Sequence, residues 1–178
     1  MINDYEATKP ITNDATLSST PNLTNDDFIS KLNGLIEVCK DGQEGFNEAA
    51  TGVDRSDLKS LFAELSLQRS KFAGDLQSLV LSLGGDPEDS GSVSGTLHRG
   101  WISLKSALTG KDDAAILNEC ERGEDSAKEA YKDALNISFP GYIQETIHTQ
   151  YTSVQAAHDR IKALRDVANN KGSSAAGY

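Results

Sequence analysis

Beyond Met1 this chain has no methionine, which excludes a haem held between paired methionines. Its 2 cysteines cannot build a disulfide framework. Both fall on helix faces expected to be buried, where a free thiol in a reducing compartment behaves as a small hydrophobe; whether Cys39 and Cys120 reach each other stays open. Positive charge is scarce too. With 17 Lys and Arg against 27 Asp and Glu, the net charge of -10 argues against nucleic acid or an anionic membrane as partner. Residues 1–23 hold Lys9 alone against Asp4, Glu6 and Asp14, which excludes a basic DNA-binding tail. No apolar run approaches the ~20 residues of a membrane span. The N-terminus lacks the basic and apolar regions of a signal peptide, so a cytoplasmic location is expected, with non-classical export left open. No Gly-x-Gly-x-x-Gly or P-loop pattern occurs. Local sequence suggests no Ser/His/Asp or Cys/His set, although a spatially assembled triad stays open.

What is present is helical periodicity with a recurrent interruption. At 178 residues one domain is the natural expectation. Residues 1–23, rich in Thr, Asn, Ser and Pro with isolated Ile2, Ile11, Leu17 and Leu23, read as an extended or disordered tail. Thr24, with Asp27 three residues on, reads as an acidic capping box. The stripe it opens runs through Phe28, Leu32, Leu35, Cys39, Phe46 and Ala50 to Gly52. Asp54 is expected to cap a second helix carrying Leu58, Leu61, Leu65, Phe72, Leu76, Leu79 and Leu83, stopped by Gly84-Gly85 and Pro87. After a Gly/Ser/Asp loop, Leu97, Trp101, Leu104 and Leu108 suggest a short crossover helix over about 96–108. Asp112 caps the third main helix, with Ile116, Leu117, Cys120, Ala127, Tyr131 and Ala134 on its stripe. Pro140, tolerated in a first turn, opens the last helix, striped by Ile143, Ile147, Val154, Ile161, Leu164 and Ala168. Residues 170–178 read as frayed.

The interruptions pair up. Cys39-Lys40-Asp41-Gly42-Gln43 is echoed by Cys120-Glu121-Arg122-Gly123-Glu124. At nearly the same offset, Leu65-x-x-Gln68-Arg69-x-x-Phe72 is echoed by Ile147-x-x-Gln150-Tyr151-x-x-Val154. Two repeated helix pairs, each polar at one level of its inner face, match the plan of a ferritin-like four-helix bundle over residues 24–169. The segments Asp41 to Phe46, Leu97 to Trp101 and Glu119 to Asp125 also resemble a bacterial family of ferritin-like four-helix-bundle domains of unknown function. The resemblance spans about residues 25 to 169 and implies a bacterial, ferritin-related fold; it implies no activity.

The inner layer decides whether such a bundle holds metal. A dinuclear carboxylate site needs one Glu from each of two helices and Glu-x-x-His from each of the others. Glu145-Thr146-Ile147-His148 is the one match. At about 100° per residue, however, Glu145 lies roughly 160° from Ile147 and faces solvent. The same wheel sends Glu37, Glu44 and Glu48 outward and sets Glu64 at the edge. It directs Gly42, Gln43, Gln68, Arg69, Gly123, Glu124 and Gln150 inward, with Tyr151 and His158 inward or near it. Of the repeat-related positions Gln43, Gln68, Glu124 and Gln150, one is a carboxylate, and amides are weak ligands for iron or manganese. The expectation is a buried polar belt of Arg69, Glu124, Gln43, Gln68 and Gln150, with Arg69 neutralising Glu124 and no cofactor. A non-catalytic bundle that self-associates, as a homo-oligomer or an open filament through residues 1–23, is the preferred function. The alternative is a dinuclear iron or manganese protein or oxidase using Glu124, Gln43, Gln68, Gln150 and His158.

Overall fold

The computed structural model describes residues 23–89, 104–110 and 112–175, with side chains through residue 170. Expectations for Ile2, Ile11, Leu17, Leu97 and Trp101 lie outside the described residues. Those described are helical, without a strand: α1 Asn25–Gly52, α2 Ser56–Ser82, α3 Asp113–Leu135 and α4 Gly141–Ala175, with a further helical segment over 104–110. None of these helices is long and apolar enough to cross a membrane.

Local chemistry sets most of the ends. Thr24 Oγ1 accepts from the Asp27 amide while Asp27 returns an acceptor to the Thr24 amide, closing a capping box on α1. Asp112 caps α3 by accepting from the Ala114 amide. Two starts differ from expectation. The residue capping α2 is Arg55, not Asp54, and the Arg55 side chain makes no capping hydrogen bond; it turns to Asp57 instead, 2.6 Å away. Pro140 stands one residue ahead of α4, where its carbonyl accepts from the amides of Ile143 and Gln144. The helix itself continues to Ala175, past the Ala168 that ends its apolar stripe.

Contacts give the directions. Short links make α1–α2 and α3–α4 antiparallel hairpins. The ring of Phe28, at the start of α1, lies tilted 5.0 Å from that of Phe139, just past the end of α3, so α1 and α3 are also antiparallel. Arg160, just past the middle of α4, reaches Glu64 in the first half of α2 at 3.6 Å. α2 therefore runs parallel to α3, so the connection that leaves Leu83 and ends at Asp112 has its two described ends at opposite ends of the bundle. It begins against α1: the Asn33 amide donates to the Asp86 carbonyl and accepts from the Glu88 amide, and Lys40 Nζ reaches the Glu88 carbonyl. Where it returns, Leu104 is buried and Leu108 lies on Gly52 so closely that a Cβ there would sit 2.0 Å from Leu108 Cδ2. A larger residue at position 52 would have to move the Leu108 side chain aside.

The apolar interior divides in two. One cluster joins Phe28, Leu32, Ile36, Leu76, Val80, Tyr131, Ile143 and Ile147. The other joins Phe46, Leu58, Phe62, Leu65, Ile116, Leu117 and Ile161. On α2, Arg69 falls between Leu65 of one and Phe72 of the other; on α3, Glu124 falls between Cys120 and Ala127 in the same way. Cys39 and Cys120 belong to different clusters and both are free thiols, so they do not pair.

Candidate functional site

Two polar constellations interrupt this interior. The first lies at the centre. Arg69 is 1% exposed and Glu124 2%, and the guanidinium Nη2 donates to both carboxylate oxygens at 2.8 and 2.6 Å. The pair spans α2 and α3, helices on opposite corners of the bundle, so its charges meet on the axis. Room for it comes from α1: a Cβ at Gly42 would stand 3.3 Å from Arg69 Cγ, closer than nearly all real Cβ contacts. The guanidinium lies between the rings of Phe46 and Phe72, 5.8 and 5.6 Å from their centroids, an arrangement that favours a cation over a metal-coordinating cavity. Burial pushes the Glu124 carboxyl above its ordinary range, with Arg69 pulling the other way.

A second set of bonds adjoins this pair. Tyr131 OH donates to Gln150 Oε1 at 2.8 Å, Gln150 Nε2 donates to the Phe72 carbonyl at 3.3 Å, and Cys39 Sγ lies 3.1 Å from the Tyr131 oxygen. Four helices are thereby joined through side chains that would otherwise carry unpaired polar atoms. Desolvation raises the Cys39 thiol to about 11 and drives Tyr131 well above its usual value; Cys120 is pushed up by burial as well. Neither thiol is a nucleophile at neutral pH.

The other members of the expected belt are placed differently. Gln43 is half-buried and enters through its backbone, its carbonyl accepting from Ser66 Oγ at 2.8 Å. Gln68, also half-buried, accepts from Arg69 Nη1 at 2.8 Å. Tyr151 is half-buried and accepts from Gln155. Gly123 is exposed, not inward: it stands on one edge of the α3 stripe, about 60° from Cys120, while the buried Glu121 marks the opposite edge, turned toward α4. Glu145 and His148 are both exposed. Among the described residues Asp41 and Glu121 are buried carboxylates that the wheel did not direct inward.

His158 belongs to the second constellation, in the groove between α3 and α4. Its Nε2 is 3.0 Å from Asp125 Oδ1 and 3.9 Å from Glu121 Oε1. On its other side Nδ1 is 2.9 Å from Asp159 Oδ1 and 3.3 Å from Lys128 Nζ. Arg165, which also binds Asp166, donates to Glu121 Oε2. Glu121, Asp125 and His158 are the residues whose ligand atoms converge, all within 4.8 Å, among those described. Sequence reasoning reached His158 but not its partners. The signal available was the spacing Glu121-x-x-x-Asp125, which puts two carboxylates on one helix edge.

Compared with known protein families, residues 27–137 match the model described as a domain of unknown function (DUF2383). No curated protein matches the chain.

Proposed function

The chain belongs to the DUF2383 family, and we propose that it is a non-catalytic, ferritin-like bundle of bacterial origin that acts in the cytoplasm as a self-associating structural subunit. The observation that carries this reading is the Arg69–Glu124 pair on the bundle axis. A ferritin-like dinuclear centre would stand among inward carboxylates at this level. Here an arginine between two phenylalanines fills it, and Gln43, Gln68 and Gln150 supply amides where the alternative would need charge. The single long connection between parallel α2 and α3 is the feature that relates the plan to ferritin-like folds. Self-association is supported by α2, whose outer side presents Leu67 at 74% and Leu81 at 63% exposure, about 21 Å apart at ~1.5 Å rise per residue. The partner is a second copy of the chain, engaged with the help of residues 1–23, in a closed homo-oligomer or an open filament; nucleic acid and membrane are not partners.

Metal analysis and light scattering on protein from its native source test this. We expect no paired iron or manganese, no ferroxidase turnover, and a particle larger than one chain that shrinks when residues 2–23 are deleted. About two iron or manganese ions per chain, lost on Glu124→Ala, would establish the oxidase alternative instead. An unchanged size in the folded deletion variant would remove residues 1–23 from the assembly.

A further inference from the structure

We propose that Glu121, Asp125 and His158 form a binding site for one divalent transition cation of the zinc class, clipping α3 to α4 at the rim of the bundle. This site is separate from the axial pair and stands or falls independently of the self-assembly reading.

His158 is 6% exposed, and a carboxylate oxygen faces each of its ring nitrogens at hydrogen-bonding distance: Asp159 on Nδ1 and Asp125 on Nε2. A neutral imidazole carries one N–H, so it satisfies one carboxylate and points a lone pair at the other. With Nδ1–H donated to Asp159, the Nε2 lone pair converges with the carboxylates of Asp125 and Glu121, their ligand atoms all within 4.8 Å, an arrangement that a divalent cation would complete. A metal-ligating histidine is oriented in this way, by a carboxylate on the nitrogen that does not bind.

Geometry and charge agree. Metal–ligand bonds of about 2.0–2.1 Å in a tetrahedral site place ligand atoms about 3.3 Å apart. The observed 3.0 and 3.9 Å from Nε2 bracket that edge. One imidazole and two carboxylates suit a borderline cation better than magnesium or calcium, which favour all-oxygen shells. Asp125 is 60% exposed on its side chain, so the ion has a path in, and water completes the shell. Around the site Glu121, Asp125, Asp159 and Asp166 face Lys128, Lys162 and Arg165, so negative charge is in excess where the ion would sit. The rival arrangement has Lys128 donating to Nδ1 and Nε2–H donating to Asp125, which makes the cluster a plain hydrogen-bonded ion pair.

Tag-free full-length chain, stripped with a chelator, is titrated calorimetrically with zinc chloride, with magnesium chloride in parallel. One zinc ion per chain and a higher Tm are expected, with no comparable response to magnesium. Asp125→Asn and His158→Gln each weaken zinc at least tenfold, while His148→Gln, altering an exposed histidine on the same helix, leaves it unchanged. Circular dichroism checks that each variant is folded; the exposed Asp125 keeps the test sound if His158→Gln unfolds. Nitrogen NMR at saturating zinc shows Nε2 without a proton. Absent binding, binding indifferent to Asp125→Asn, or a persistent Nε2–H would each overturn the proposal.

Discussion

Arg69–Glu124 on the axis and His158–Asp125 in the groove use the same currency of opposed charges, yet they solve opposite problems. Both Arg69 and Glu124 have side chains 2% exposed, so neither finds a substitute if the other leaves. In the groove Asp125 and Asp159 are open to water, and the histidine has several neighbours competing for two nitrogens. Enclosure makes the first arrangement obligatory and the second exchangeable. An enclosed pair fixes how helices meet; an exchangeable one can receive a ligand.

The sharpest way to break that contrast is to remove one charge from the axis. Arg69→Met or Glu124→Leu alone should lower the unfolding free energy by roughly 3–5 kcal/mol, because the survivor is left buried and unpaired. The double variant should lose much less. Urea unfolding of all four proteins measures the coupling, and small additive losses would mean that the two charges act independently.

A smaller effect is expected in alkali, and it separates the regions by their protons. The folded state holds the Cys39 thiol at about 11 by burial, whereas its ordinary value is 9.0. Its contribution is therefore complete below the unfolded value and lost as pH rises through the folded one. The shift corresponds to roughly 2–3 kcal/mol at about 1.4 kcal/mol per pH unit. Cys120 and Tyr131 are displaced in the same direction. Chemical unfolding between pH 8 and 11 should show the decline, and Cys39→Ala should make it shallower; an equally steep decline would assign it elsewhere.

The smallest effect belongs to the groove. Arg165→Ala should cost less than either axial single variant, and less again in high salt, since the guanidinium stands at the rim and the buried Glu121 beneath it keeps His158 nearby. A loss matching that of Arg69→Met in the same unfolding assay would erase the distinction between the two regions.

The sequence reveals the helices far better than it reveals these sites. Stripes such as Leu58 to Leu79 have no competing reading, and the Thr24 and Asp112 caps are local chemistry that needs no tertiary knowledge. Arg69 and Glu124 were legible as an inward cation and an inward anion, since each interrupts an apolar stripe. The glycines misled the internal echo. Gly42 faces the core because Arg69 occupies the space beside it, whereas Gly123, its counterpart, is exposed. A residue without a side chain leaves no trace of which way it faces. Glu121 was lost for another reason: a carboxylate on the edge of a stripe is buried or exposed according to what the next helix brings, here Arg165 and His158.

The glycine at position 42 has a historical consequence. Alanine is the better helix former by about 1 kcal/mol, so an unconstrained chain would drift toward it, but the stem of Arg69 stands 3.3 Å from where the methyl would go. The order of substitution then matters. A lineage that shortens position 69 first can fill position 42 freely, and once filled, that methyl stands against the return of arginine. The two positions are coupled: alanine at position 42 requires the Arg69 stem to give by a few tenths of an ångström, so the ion pair is held most easily beside a glycine.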